Sequence, residues 1–110
     1  GMPALEAAAW RTLAEIDLNL GNLDTAREAL TRAHKLLDTL TDELQTGRAA
    51  ALAGRISLAE GQADQAKEDL QVARDIFGRL GASRDLKQVQ DTIRRLPRPD
   101  ASELSRSSEP

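Results

Sequence analysis

The stretch Ile16–Ala33, IDLNLGNLDTAREALTRA, returns forty residues later as Ile56–Ala73, ISLAEGQADQAKEDLQVA. Ile16, Leu18, Gly21, Asp24, Ala26, Glu28, Leu30 and Ala33 meet identical residues in register, and Leu40 extends the match to Leu80. Arg27/Lys67 and Leu36/Ile76 are conservative pairs. A Gly flanked on both sides by apolar residues at three- and four-residue spacing reads as two helices joined at that Gly. Small residues recur where such helices would cross, at Ala14/Gly54, Ala26/Ala66 and Ala33/Ala73. A small side chain there lets the axes approach, while Leu30, Leu70, Ile16 and Ile56 fill the space beside the crossing. One hairpin of this kind cannot bury its apolar face alone, so it must stack on a neighbour.

Outward from the repeat, the pattern predicts five helices. Pro3 suits a first helical turn, where its missing N–H costs nothing. Leu5, Ala9, Leu13, Ile16 and Leu20 then fall on one stripe, and Gly21 ends that helix. Asn22 or Asp24 can cap the second helix, whose buried face is Ala26, Leu30, Ala33, Leu37 and Leu40. Thr41 is the expected cap of the third, with Leu44, Ala49, Leu52, Ala53 and Ile56 inward and Gly61 as its stop. The fourth buries Ala66, Leu70, Ala73, Ile76, Phe77 and Leu80, and Gly81 ends it. Ser83 is expected to cap a fifth helix with Leu86, Val89, Ile93 and Leu96 inward and Pro97 at its end. Shifted by forty once more, Arg94 falls where Ala14 and Gly54 are small. A bulky charge there rejects a close partner, so this helix reads as a cap with a polar outer side.

Composition agrees with an all-α chain of one domain. Of 110 residues, 40% are hydrophobic but only 2% aromatic, so the apolar content is largely Ala and Leu, the best helix formers. Charged residues make up 30% with a net charge of −3, which suits a solvated helical surface and argues against nucleic acid as a partner. There is no Cys, so disulfides and thiolate metal sites are excluded. No run approaches the roughly 18 apolar residues of a membrane span. No basic-then-apolar leader opens the chain, so a cytoplasmic protein is expected. Gly1 before Met2 reads as the remnant of a removed tag. The tail RPDASELSRSSEP, rich in Ser and Pro, is expected to be disordered or a linker.

These residues resemble the tetratricopeptide repeat family. Trp10, Leu13, Ala14, Gly21, Ala26, Leu30 and Ala33 fall on its signature order of aromatic, Leu, small, Gly, Ala, large, Ala. Gly54, Gly61, Ala66, Leu70 and Ala73 repeat it. The chain departs from the pattern at Ala50, which replaces the aromatic, and at Asp17 and Ser57, where a Tyr is usual. Asp38 and Gly78 stand at the usual Pro. The period of forty exceeds the family's usual length of about 34 residues, which implies longer helices at the unit junction. With ARDIFGRLGASRDL at Ala73–Leu86, the long period resembles the repeats of large bacterial signalling and transcriptional regulator proteins. The resemblance implies two tandem antiparallel hairpins, in a right-handed superhelical stack, plus a capping helix. Repeat one covers about 4–40, repeat two about 41–80 and the cap 83–96.

The family's geometry implies that the first helix of each unit lines a concave groove that binds a protein or peptide partner. The groove residues would be Arg11, Glu15 and Asn19, then Arg48, Ala51, Arg55 and Ala59. Arg48 and Arg55 are two turns apart on one face and are either solvated or able to grip an acidic segment. The family's clamp for C-terminal carboxylates is not expected, because Arg11 and Glu15 occupy two of its positions and only two repeats exist. About three units are needed for a stable isolated stack. Leu5, Ala8, Ala9 and Trp10 would therefore leave an apolar patch that a second protomer could cover, making a homodimerisation element the rival reading. His34 with Asp38 reads as a surface pair, since it is the only His. Trp10 reads as packing, and Arg84, Lys87, Arg94, Arg95 and Arg98 as a solvated face interrupted by Asp85 and Asp91. No phosphate loop, nucleophile–base spacing or metal-ligand set is present, so neither catalysis nor a cofactor is expected.

Overall fold

A computed structural model describes residues 2–97. They form five helices: α1 (Pro3–Asn19), α2 (Leu23–Leu37), α3 (Glu43–Ala59), α4 (Ala63–Leu80) and α5 (Ser83–Arg94). Helices α1 and α2 make one hairpin and α3 and α4 a second; α2 packs on α3 to join them, and α5 packs mainly on α4. The expected all-α architecture of two hairpins plus a closing helix is what the chain adopts. The tail RPDASELSRSSEP and Arg98 lie outside the described residues, and no described helix is long and apolar enough to cross a membrane.

The two repeat glycines sit in the left-handed region, Gly21 at φ 81° and Gly61 at φ 78°. Only a residue without Cβ adopts that conformation cheaply. It lets the chain reverse while the N–H of Asn22 reaches the carbonyl of Asp17 and that of Gln62 reaches Ser57, both at 2.8 Å. Pro3 occupies the first position of α1, as its chemistry suggests.

Two expected caps move by one residue. Asp42, not Thr41, begins α3; its carboxylate accepts the Gln45 N–H at 3.1 Å. A carboxylate there also complements the positive end of the helix dipole. At α5 the cap position is Ala82, which has no side chain to bond, and Ser83 is already helical. The forty-residue period is shared between helix length and connection. The two hairpins are separated by residues 38–42, with α3 of 17 residues and α4 of 18 against 15 in α2.

The hairpin seams are as close as the small residues require. A Cβ on Gly54 would stand 2.6 Å from Leu70 Cγ, and one on Gly47 would stand 2.7 Å from the Phe77 ring. Leu70 and Phe77 are each 1% exposed, and full burial of such side chains is worth about 1.5–3 kcal/mol apiece. In the first hairpin Ala14 and Leu30 hold the corresponding places, both buried. The core divides into an Ala-rich cluster through α1, α2 and α3 and a second cluster around Leu70, Phe77 and Val89, against which Leu86, Ile93 and Leu96 pack.

A polar chain crosses the same seams. Ser57, fully buried, accepts from Arg27 Nη2 at 3.0 Å and donates to Asp69 Oδ2 at 3.1 Å, linking α2, α3 and α4. Arg27 also reaches Glu60 at 2.7 Å. Ser57 thus supplies a hydrogen-bonded bridge between three helices.

Two burial expectations are corrected. Leu80 is 42% exposed, because Arg79 already pairs with Glu43, the first residue of α3, and α4 runs past that point. Leu40, its repeat mate, lies in the turn after α2 and folds back onto the core. Ile16 does not fill space beside a crossing: it is 50% exposed, and Leu5, Leu13 and Leu20 are also exposed. Their mates Ala53 and Ile56 are buried because α2 covers α3, whereas no helix covers the outer side of α1 among the described residues.

Gly54→Val should therefore overpack the α3–α4 seam. The strain of about 1–3 kcal/mol exceeds the gain in helix propensity. At roughly 4–8 °C per kcal/mol for a domain of this size, a thermal melt should show a clear fall in Tm, with Gly78→Val, which meets open space, as the control.

Candidate functional site

The inner sides of α1 and α3 meet α5 around a pocket of about 250 Å3. Arg11 and Glu15 come from α1, and Arg48, Ala51 and Arg55 from α3. Five of the expected groove residues therefore converge. Asn19 and Ala59 do not join them; both are exposed at the far ends of their helices. The floor is apolar, made by Leu52, Leu70, Phe77 and Val89, and α5 closes one wall with Arg84, Asp85, Gln88 and Thr92.

The sequence pattern makes α5 only a cap, whereas in the structure it also supplies one wall of the pocket. The signal lay in the repeat itself, since a further shift of forty puts Gln88 under Arg48 and Thr92 under Leu52. The closing helix thus continues the inner face of the two before it.

Arg48 and Arg55 do not share one carboxylate. Arg48 pairs with Asp85 through Nε at 3.2 Å and Nη2 at 3.4 Å, and Arg55 reaches Glu15 at 3.4 Å. All four side chains are partly solvated, so each pair is worth only about 0–1 kcal/mol. The apolar floor, not these pairs, holds α5 in place. Arg11 differs. Its Nε is shut off from solvent without a hydrogen-bond partner, and its guanidinium joins no ion pair among the described residues. Burial pushes its pKa below the usual arginine value and repulsion from Arg48 adds to this, while Glu15 and Asp85 oppose the shift. Arginine stays protonated even so. Arg84 likewise has no ion-pair partner among the described residues, so four cations face two anions, both already engaged.

On α1's outer side, Leu5 and Ala9 are exposed and Ala8 is half-buried. Trp10 is half-buried against the first core cluster, and Arg32 lies 4.9 Å from its ring centre, a cation–π contact that occupies the exposed face. His34 and Asp38 form no ion pair; the Asp38 N–H bonds the His34 carbonyl at 2.9 Å as α2 ends. Arg94 pairs with Asp91 at 3.0 Å. Among the described residues no group of three or more His, Asp or Glu side chains is placed to hold a metal ion. No protein-family model, curated protein or solved structure matches the chain.

A buried guanidinium nitrogen without a partner costs stability. Arg11→Met, which keeps the apolar stem and removes the cation, should stabilise the fold by about 1 kcal/mol. Its melting temperature should rise by a few degrees above that of the parent.

Proposed function

We propose that this chain is a protein-interaction module of the tetratricopeptide-repeat type that binds an acidic segment of a partner across the inner face of α1, α3 and α5. The observation that carries the reading is the Arg11 pocket, where cationic groups without partners gather over an apolar floor. At about 250 Å3 the pocket falls below the ~300–1,000 Å3 of typical small-molecule sites and suits one anchoring side chain. Binding works by shape and fixed charge, with no bond made or broken. The family resemblance supports the same reading and extends it to a role within a cytoplasmic regulatory or signalling protein of bacterial type.

A peptide library displayed against the protein tests this. Selected binders should be acidic, should weaken as salt rises, and should lose at least tenfold in affinity on Ala51→Trp, which blocks the inner face, and on Arg48→Glu. Binders that tolerate both substitutions and are lost on Leu20→Glu would place the active surface on the outer side of α1 instead.

The second reading, a homodimerisation element, is favoured by that outer side. Leu5, Leu13, Ile16 and Leu20 are exposed on one stripe, while the repeat mates of Leu13 and Ile16 are covered. Under it the protein dimerises in light scattering as concentration rises, and Ile16→Lys returns it to monomer. A parent that remains monomeric at millimolar concentration ends this reading.

A further inference from the structure

The arginines of the inner face are not equivalent. Arg48 and Arg55 stand out in the sequence, two turns apart on one helix, yet both are already paired within the chain. The cations left over are Arg11 on α1 and Arg84 on α5, which stand on opposite walls of the same pocket with Leu70, Phe77 and Val89 beneath them. Arg11 thus brings a guanidinium with no ion pair to the pocket lining, a charge that an entering anion offsets.

The pocket limits that anion in three ways. It holds about 250 Å3, enough for a side chain rather than a large ligand. Its apolar floor rewards an aliphatic stem. Its rim keeps two resident carboxylates, Glu15 and Asp85, which repel a dianion such as phosphate more strongly than a single carboxylate. The geometry points to a glutamate side chain of the partner segment as the anchor, its carboxylate received by Arg11 and Arg84 and its methylenes resting on Leu70, Phe77 and Val89. This rests on the interaction-module reading and names the partner group that reading leaves open. Arg48 and Arg55 then act as positioning residues that hold Asp85 and Glu15 away from the incoming carboxylate.

The probe is an N-acetylated, C-amidated peptide of sequence Ala-Leu-Glu-Leu-Ala, with a Gln-for-Glu twin and free propionate beside it. The readout is the Nε–Hε resonance of Arg11 in nitrogen-15 NMR spectra, assigned by its loss in Arg11→Met. The Glu peptide should shift the Arg11 and Arg84 resonances saturably, and the Gln twin and propionate should bind at least tenfold more weakly. Arg11→Met, which should remain folded, and Arg84→Gln, a substitution at an exposed position, should each weaken the Glu peptide by about tenfold. Equal binding of the Glu and Gln peptides overturns the assignment. So does propionate matching the Glu peptide, which would make the pocket a site for a free small acid. Library peptides that require Ala51 yet leave the Arg11 resonance unmoved overturn the anchor and leave the module reading intact. If the Glu peptide fills the pocket while no longer segment binds across Ala51, the anchor stands and the module reading falls.

Discussion

Leu70 rests on the bare backbone of Gly54, and the placement of the second hairpin follows from that contact. Where an added methyl carbon would stand 2.6 Å from a buried leucine, the helix axes are fixed as close as backbone allows. Gly47 against Phe77 repeats the contact two turns earlier and removes the freedom of α4 to pivot about the first point. With α4 so held, Leu70 and Phe77 present their edges to α5, and Val89 closes over them. The apolar floor of the Arg11 pocket is thus a by-product of the tightest seam in the molecule. The Ser57 bridge then fixes the neighbouring hairpin relative to this one through hydrogen bonds that a slip of one turn would orphan.

Much of this architecture could be read from the chain. The glycine stops at Gly21 and Gly61 were legible because a left-handed residue leaves few alternatives, and the stripes of α2 and α3 because their apolar periods are unambiguous. The caps were less so. Thr41 and Asp42 are both good capping residues, and which one the helix selects depends on where the preceding turn delivers the backbone. Ser83 lost its place to Ala82 for the same reason. Leu80 was misplaced because repeat symmetry matched it to Leu40, while the real chain lengthens α4.

The site was half legible. The family resemblance implied that Arg11, Glu15, Arg48, Ala51 and Arg55 share one side, and they do line one pocket. Their inequality was not legible, because pairing spans the fold: Asp85 is 37 residues from Arg48, and Glu15 is 40 from Arg55. Sequence spacing measures neighbours on a single helix, whereas charge balance in a pocket depends on which helices meet. The cations prominent on one helix are neutralised by others, and the isolated Arg11 is left without a partner.

The two ends of the stack differ in kind. Helix α5 turns Lys87, Gln90 and Arg94 outward, and all are exposed. At the other end α1 exposes Leu5, Leu13, Ile16 and Leu20, whereas α3 buries Ala53 and Ile56, the mates of Leu13 and Ile16, under α2. In the language of adhesion the described helices present one sticky end and one charged end. The stack therefore has a polarity along its axis: the outer side of α1 is adhesive, and the outer side of α5 is charged.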